Sequence, residues 1–417
     1  MLILLIWAGL ATPLVKFYSP DYPLLFVFNV LILIFYYIRF NYNINIKSLV
    51  LILSLYATWY LAICIKYNGI QSIDLTLVYS TIIAFVSYKV FNFKEFCYYY
   101  EKVLAFLCIL SLIVWGSAIL MPTFVPHLLD KIAIYHAKGI NSDNFIIVGL
   151  GDQMVAGIRR NLGFAWEAGR FSAFIVIGLF INLNNHDMDI NFKRNKNLYV
   201  LLATLISTLS TTGFGAFGGV VLYYLYNKSA STKLVLIIGI LVVLPSFLAL
   251  PFIGDKILLN MDYNQEIGNM MYSFDNYGET SITPQRITGL YLDWQNFIHD
   301  FWFGYNINEN SYTINYIFGG YTVWLSDGIL QIFSKYGIFM GLFFYVNLFK
   351  ASSFSSNIYR KKGKILFALV FLLVSISYDF WGTGLMLSII FYPFFEKYNK
   401  YKVGSYVTQN KYYNSNL

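Results

Sequence analysis

Long apolar runs separated by polar stretches dominate this chain as far as residue 396. Most runs are about 15 to 22 residues long, close to the length that an α-helix needs to cross the hydrocarbon core of a membrane. Unpaired backbone groups are costly in lipid, so the runs are expected to be helices. The pattern predicts about twelve spans, at approximately residues 1–15, 22–39, 48–65, 75–91, 103–121, 171–184, 198–211, 213–227, 233–253, 328–349, 364–379 and 381–396. The adjacent runs 198–211 and 213–227 are also compatible with one broken helix.

Two polar connections, at about residues 122–170 and 254–327, are much longer than the others. No internal repeat or separate soluble segment is evident, and residues 397–417 are rich in Tyr, Asn and Lys, as in a flexible tail. We therefore expect residues 1–417 to form a single polytopic membrane domain of the all-α class, with two long loops.

The composition supports this class. The chain is 58% hydrophobic and 12% charged, whereas a soluble protein carries roughly 25% charged residues. Cys64, Cys97 and Cys108 lack CxxC spacing and predict neither a disulfide framework nor a metal site.

Lysine and arginine concentrate in the even-numbered connections, counted along the chain, and in the C-terminal tail. They are Arg39, Lys47, Lys89, Lys94, Lys102, Lys193, Arg194, Lys196, Lys228, Lys233, Lys350, Arg360, Lys361, Lys362, Lys364, Lys397, Lys400, Lys402 and Lys411. The second long loop has only two basic residues against nine acidic ones. Because basic connections stay in the cytoplasm, both termini are predicted to be cytoplasmic and both long loops to face outward. The net charge of +8 suggests anionic membrane lipids as partners, and nucleic acid is not expected.

Charge is also concentrated in residues 159–170, where the first long loop meets an apolar run. The stretch reads R-R-N-L-G-F-A-W-E-A-G-R and contains Arg159, Arg160, Glu167 and Arg170. If it is helical near the membrane, Gly163, Glu167 and Arg170 share one face, and the glutamate can pair with Arg170. The fork of donors on arginine suits phosphate or pyrophosphate. The alternative is an interfacial anchor made of snorkelling arginines and a surface ion pair.

In the second long loop, Arg286 is isolated among acidic residues and is either a salt-bridge partner or a ligand-binding group. The same loop has aromatic residues beside carboxylates, which suits sugars because they present both apolar faces and hydroxyl groups. These aromatic residues are Trp294, Trp302, Tyr321 and Trp324. The alternative is an aromatic belt at the membrane interface.

Two other patterns predict no cofactor. Gly213, Gly215 and Gly218 spell G-x-G-x-x-G inside an apolar run without a βαβ context, so close packing of membrane helices is expected rather than a nucleotide site. The four histidines show no metal-ligand spacing such as HExxH, so no metal site is predicted.

Four blocks, in chain order, carry a family resemblance. They are R-N-L-G-F-A-W-E-A-G-R-F-S-A-F from Arg160, S-T-L-S-T-T-G from Ser207, Arg286 with Trp294 and then F-G-Y from Phe303, and S-D-G-I-L-Q from Ser326 with K-Y-G-I from Lys335. Together they resemble the signature stretches of bacterial O-antigen polymerases (the Wzy family) and the related O-antigen ligases. The resemblance covers roughly residues 160–342, and the first third of the chain is similar only in hydropathy.

The resemblance implies a GT-C-like membrane glycosyltransferase that joins undecaprenyl-pyrophosphate-linked oligosaccharides at the periplasmic face of the bacterial inner membrane. Arg160 and Arg286 would hold the pyrophosphate, with Arg159 and Arg170 as neighbours. Fixed arginines can stabilise a departing pyrophosphate without a metal. Glu167 or Asp327 would position or deprotonate the attacking hydroxyl. Trp294 is a candidate sugar contact, and a chain-length regulator is a candidate protein partner.

Two competing functions make different predictions. The ligases have a histidine just before the span that corresponds to residues 328–349 of this chain. This chain has Ser326 and Asp327 there, and the difference weakens the ligase interpretation. A lipid-linked oligosaccharide flippase would show two similar halves and charges within its spans, whereas the charge here lies in the predicted outer loops.

Overall fold

The computed structural model describes residues 46–72, 75–132, 135–137, 142–144, 148–151, 154–155, 157–165, 167–228, 263–277, 281–282, 284, 286–306, 310–323, 325, 328–376 and 378–398, with isolated positions at 1, 31, 34, 35 and 38. The helices are α1 (Lys47–Lys66), α2 (Leu75–Val90), α3 (Phe93–Leu120), α4 (Phe124–Ile132), α5 (Ala168–Asn185), α6 (Lys196–Thr208), α7 (Thr211–Asn227), α8 (Tyr263–Tyr277), α9 (Arg286–His299), α10 (Gln331–Ile358), α11 (Leu366–Ser375), α12 (Gly384–Ile390) and α13 (Tyr392–Tyr398), with a π-helical turn at Thr313–Ile317. The short strands are β1 (Tyr135–Ala137), β2 (Ser142–Asn144), β3 (Gly149–Gly151), β4 (Met154–Val155), β5 (Ile158–Arg159), β6 (Ser281–Ile282) and β7 (Thr322–Val323).

The predicted helical membrane class is supported in part. Among the described helices, α1, α3 and α10 are long and apolar enough to cross a membrane. Residues 77–90 of α2 and all of α11 form shorter apolar helices. Most of the predicted spans 1–15 and 22–39, all of 233–253 and the tail after residue 398 lie outside the described residues. The count of about twelve spans therefore stays a prediction.

Local capping, rather than hydropathy, determines where α3 begins. Asn92 Oδ1 accepts a hydrogen bond from Glu95 N at 2.9 Å, and Glu95 Oε2 accepts one from Asn92 N at 3.0 Å. This reciprocal capping box satisfies backbone donors at the helix start. The helix consequently begins at Phe93, well before the apolar run predicted at 103–121.

Residues 196–227 form two helices rather than one broken helix. The break lies at Leu209, with φ 48°, and Ser210, whose Oγ accepts from Gly213 N at 3.2 Å and caps α7. Asn195, before α6, bonds to Asn182 near the end of α5, whereas Ser210, before α7, bonds to Ser172 near the start of α5. The two helices therefore run in opposite directions along α5.

Helix α5 forms the centre of the helical core. Every residue from 171 to 184 is buried, and the helix packs against α3, α6, α7 and α11. A helix that is covered on all sides can be apolar around its whole circumference, as this one largely is. Its buried polar residues lie near its two ends and are hydrogen-bonded there, for example Ser172 to Gly169 O and Asn184 to Phe180 O.

The long loops contain small sheets. In the first loop, β1, β2 and β3 form an antiparallel sheet and β4 and β5 form a hairpin. In the second loop, β6 and β7 pair in parallel, which joins segments about forty residues apart. Asn161 ties the first loop to the helices, because its Nδ2 donates to Ser111 Oγ at 3.2 Å and Ser207 Oγ at 2.9 Å.

The second loop is joined to α10 through two glycines. Gly304 and Gly337 both have φ 76°, a backbone conformation that favours glycine. Tyr305 N donates to Ser334 O at 3.1 Å, and Ile338 N donates to Phe301 O at 2.8 Å. A Cβ atom on either glycine would overlap the backbone of the other segment. The close approach kinks α10 at Gly337.

The described connections gather in two groups. Three even-numbered connections, those after α5, α7 and α10, meet where Asp187 pairs with Lys361 and Asn227 bonds to Lys362. The odd-numbered ones meet where Lys66 pairs with Asp300, and where the two long loops touch. This grouping fits the predicted alternation of connections across a membrane. Which group faces the cytoplasm stays a prediction.

Candidate functional site

Glu167 lies where the first long loop becomes α5. The residue has extended backbone angles and is the N-cap of α5, which begins at Ala168. Residues 163–165 form a turn rather than a helix, so Gly163 does not share a helical face with Glu167 and Arg170. Gly163 lies in a turn with φ 54°, where a Cβ atom would overlap the ring of Phe171. The expected pairing with Arg170 is confirmed, since Glu167 Oε2 lies 3.7 Å from Arg170 Nε.

Arg286 reaches the same carboxylate from the second long loop. It is the first residue of α9, and its Nη2 donates to Glu167 Oε1 at 2.5 Å. The two side chains are 26% and 29% exposed. A charge-assisted hydrogen bond that is mostly shielded from water is stronger than a surface ion pair. The contact joins the two loops across 119 residues of sequence.

Arg170 is held on its other side by an aromatic ring. Its Cζ lies 4.5 Å from the ring centroid of Tyr378, which is itself 2% exposed. A guanidinium at this distance over a ring makes a favourable cation–π contact. The Tyr378 ring packs in turn against Phe174 and Phe380. The orientation of Arg170 is therefore set from both sides.

Arg160 is the third arginine on which the charge of Glu167 acts. Its Nε donates to Thr208 O at 3.0 Å, at the carbonyl end of α6, where a positive charge is favourable. Burial lowers the pKa of the Arg160 guanidinium, and the negative charge of Glu167 opposes this shift. The electrostatic influence of Glu167 thus extends to arginines from both loops.

We call Arg160, Glu167, Arg170 and Arg286 the arginine cluster. Its three guanidinium groups and one carboxylate carry a net charge of +2, counted from their ordinary ionisation. Such a set can bind an anion with two or more negative charges, and guanidinium donors match phosphate oxygens in geometry.

The other predicted site residues are placed differently. Arg159 lies in β5, where its Nη1 donates to Gly151 O at 3.1 Å and its carbonyl accepts from Trp115 Nε1 at 2.7 Å. Trp294 is 45% exposed on α9, eight residues after Arg286, or about 12 Å along the helix axis. Its ring centroid lies 5.8 Å from that of Phe297. Among the described residues, Trp294 makes no contact with a member of the arginine cluster.

Asp327 lies outside the described residues. The next residue, Gly328, is described, and its N–H donates to Ser375 O at 2.7 Å. A Cβ atom on Gly328 would approach Tyr378 O to 2.6 Å, so Gly328 packs against the residue that lies under Arg170.

Sequence reasoning missed two residues that organise the site. Asn161, 2% exposed, holds the first loop against α3 and α6 through its two side-chain hydrogen bonds. In the sequence, this role was indicated only by the position of Asn161 between Arg160 and Gly163 in the R-N-L-G block. Tyr378 gave no usable signal, because its contact with Arg170 joins positions 208 residues apart.

Within the described part of the chain, no group of three or more His, Cys, Asp or Glu side chains is arranged to hold a metal ion. Comparison of the chain with protein-family models, with curated proteins and with solved structures found no match.

Proposed function

We propose that this chain is an O-antigen polymerase, a membrane glycosyltransferase that joins undecaprenyl-pyrophosphate-linked repeat units at the periplasmic face of the bacterial inner membrane. One observation carries the proposal. Arginines from both long loops converge on Glu167, through the contacts of Arg170 and Arg286 and the electrostatic influence on Arg160. The sequence resemblance assigns arginines of these same two blocks to the pyrophosphate. The proposed membrane location agrees with the apolar helices α1, α3 and α10.

The proposed reaction needs a stabilised leaving group. The oxygen of an acceptor hydroxyl forms a bond to the anomeric carbon of the donor sugar, and the bond from that carbon to pyrophosphate breaks. The pyrophosphate leaves with the electron pair, and the hydroxyl proton passes to a carboxylate. Arg160 and Arg286 stabilise the charge on the leaving pyrophosphate, and Glu167 or Asp327 positions the hydroxyl.

The ion pair between Glu167 and Arg286 has a role in this scheme. It holds the Arg286 guanidinium in place before the substrate arrives, and preorganised donors need little rearrangement during the reaction. Pyrophosphate offers more acceptor oxygens than a carboxylate and competes for Arg286. Glu167 is then released beside the leaving group, where it can meet the acceptor hydroxyl.

The first experiment uses a strain of the source bacterium that lacks this chain, with its lipopolysaccharide analysed by gel electrophoresis. Loss of a polymerase leaves one repeat unit on the lipid A core, whereas loss of a ligase leaves none. A core with one unit supports the proposal. A core with no unit would instead support the ligase, and an unchanged ladder would contradict both.

Complementation then tests the residues at matched membrane levels. Arg160→Ala and Arg286→Ala are expected to abolish the ladder. Glu167→Gln is expected to abolish polymerisation but to leave single repeat units attached to the lipid A core. Arg286→Lys keeps the charge but loses the fork of donors, so a partial ladder is expected. Arg194→Ala, an arginine 78% exposed beside Asp189 in the group of even-numbered connections, is the matched control and should give a full ladder.

A charge exchange separates binding from a purely structural role. The double variant Glu167→Arg/Arg286→Glu keeps one positive and one negative group at the pair. If the pair only holds the two loops together, this variant restores the ladder, and the proposed pyrophosphate role is wrong. If Arg286 holds pyrophosphate, the exchange places a carboxylate against the substrate and the ladder stays absent.

A further inference from the structure

A second polar site lies near the end of α5, away from the arginine cluster at its start. A cavity of about 530 Å³ opens there, and its lining includes Lys94, Asn184, Asn185, Tyr359 and Arg360. Ligand pockets for small molecules typically measure about 300 to 1,000 Å³. This inference does not depend on the proposed glycosyl transfer.

A buried carboxylate holds the inner wall of the cavity. Glu101 of α3 is 1% exposed, and its Oε1 accepts from Asn182 at 2.9 Å and from Asn197 at 2.7 Å. His186 Nε2 lies 3.0 Å from the same oxygen, and Asn185 donates to Oε2 at 2.8 Å. Four side chains from the end of α5, the connection after it and the start of α6 therefore point at one carboxylate, which joins these segments.

The two asparagines in the cavity wall are held in fixed orientations. Tyr359 Oη donates to Asn185 Oδ1 at 2.8 Å, and Tyr223 Oη donates to Asn184 Oδ1 at 2.6 Å. A side chain whose rotamer is set by its neighbours loses little entropy when a ligand binds. The wall is thus built before any ligand arrives.

The rim of the cavity is positively charged. Lys94 Nζ lies 5.7 Å from the ring centroid of Tyr359, and Arg360 follows Tyr359 in the chain. The carboxylate that lines the cavity, Asp187, is paired with Lys361, which lowers the pKa of Asp187 mainly through their hydrogen bond. Asp187 therefore does little to neutralise Lys94 and Arg360, which have no ion pair within the described part of the chain.

Backbone strain is concentrated at the same place. Asp187 has φ 52°, Met188 has φ 62° and Arg360 has φ 54°, in the left-handed region that non-glycine residues rarely adopt. Such conformations persist where the surrounding structure imposes them, and they cluster at binding sites. Here they position Asp187 and Arg360 at the cavity.

The positions of the two cations indicate the ligand. Lys94 lies in the first turn of α3, and Arg360 lies two residues after the end of α10. Both helices are long and apolar enough to cross a membrane, so their ends are expected at the level of the lipid headgroups. Basic pockets between such helices suit phosphate headgroups.

We propose that this cavity binds the phosphate of an anionic phospholipid headgroup, held by Lys94 and Arg360 against the wall formed by Asn184, Asn185 and Tyr359. The same chemistry could be satisfied by a phosphate-bearing molecule from the aqueous phase. The two sources differ in whether acyl chains are needed.

The experiment measures thermal unfolding of the full chain in detergent after removal of bound lipid. Dioleoyl phosphatidylglycerol, dioleoyl phosphatidylcholine and inorganic phosphate are titrated separately. Phosphatidylglycerol should raise the unfolding temperature in a saturable way, and phosphatidylcholine should not. A saturable rise with inorganic phosphate alone supports the same phosphate site with an aqueous ligand. No effect of phosphatidylglycerol and inorganic phosphate, or an equal effect of both lipids, overturns the proposal.

The double variant Lys94→Gln/Arg360→Asn tests the residues. Asparagine is chosen at position 360 because it tolerates the left-handed conformation. With each cation worth about fivefold in affinity, the double variant should bind phosphatidylglycerol about 25-fold more weakly. Lys193→Gln/Arg194→Asn removes one lysine and one arginine from the exposed end of the connection between α5 and α6, outside the cavity lining, and should bind as the wild type does. Equal affinity of the cavity variant and the wild type contradicts the assignment.

Discussion

The ion pair between Glu167 and Arg286 allows a quantitative test of how the two long loops are joined. The variants are Glu167→Gln, Arg286→Gln and the double variant, which form a double-mutant cycle. The pair is a hydrogen bond of 2.5 Å between groups that are 29% and 26% exposed. A hydrogen bond to a charged group contributes about 1.5 to 3 kcal/mol. Partial solvent screening reduces the expected coupling free energy to about 1 to 2 kcal/mol.

The two single variants should differ in their effects. Arg286→Gln leaves Glu167 with Arg170, 3.7 Å away. Glu167→Gln instead removes the negative charge that contacts Arg170 and Arg286 and acts electrostatically on Arg160, so the repulsion among these positive charges adds to the lost hydrogen bond. We therefore expect Glu167→Gln to be the more destabilising substitution. A neutral double variant should regain part of that loss, because Arg286 no longer contributes to the repulsion.

The assay is equilibrium unfolding of the purified chain in detergent, with the free energy of unfolding compared across the four proteins. A coupling below about 0.5 kcal/mol is within the scatter seen for independent sites and would refute the reasoning. Equal destabilisation by the two single variants would refute the repulsion argument separately. Raising the salt concentration should weaken the coupling only slightly, since partly buried pairs are poorly screened.

Three further predictions concern other parts of the fold. Gly337→Ala should destabilise the chain by about 2 kcal/mol or more, because a Cβ atom there would overlap the backbone of another segment and φ is 76°. Gly215→Ala is the control: it has open space around it and should be neutral or stabilising in the same unfolding assay. Asn161→Ala should cost about 2 to 4 kcal/mol in free energy of unfolding, because it leaves buried partners unsatisfied. Lys361 lowers the pKa of Asp187 in the folded chain. Because the carboxylate is exposed, the pair should stabilise the fold by at most about 0.5 kcal/mol at pH values above the unfolded-state pKa of about 3.9. This stabilisation is lost as the pH falls through the lowered folded-state pKa. Comparing Asp187→Asn with the wild type by thermal unfolding at pH 6 and pH 3 measures that loss.

Local patterns in the sequence were sufficient for several features of the site. The pairing of Glu167 with Arg170 was predictable because three residues separate them, and residues this close in sequence are neighbours near a helix start. A salt bridge was also one of the two roles predicted for Arg286, because acidic residues surround it in the sequence of the second loop. Hydropathy gave the helical membrane class, since apolar runs of this length have few other stable conformations. It did not give the start of α3, which depends on the capping box of Asn92 and Glu95.

Only the tertiary structure decided which charges meet. The sequence could not show that Glu167 is the partner of Arg286, or that the Tyr378 ring lies under Arg170, because helix packing brings these distant positions together. The close approach at Gly304 and Gly337 is of the same kind, since each glycine is required by the backbone of the other segment. Hydropathy and capping act between near neighbours and can be read along the chain. Long-range contacts depend on how buried surfaces fit, and that fit is determined by the packed helices as a whole.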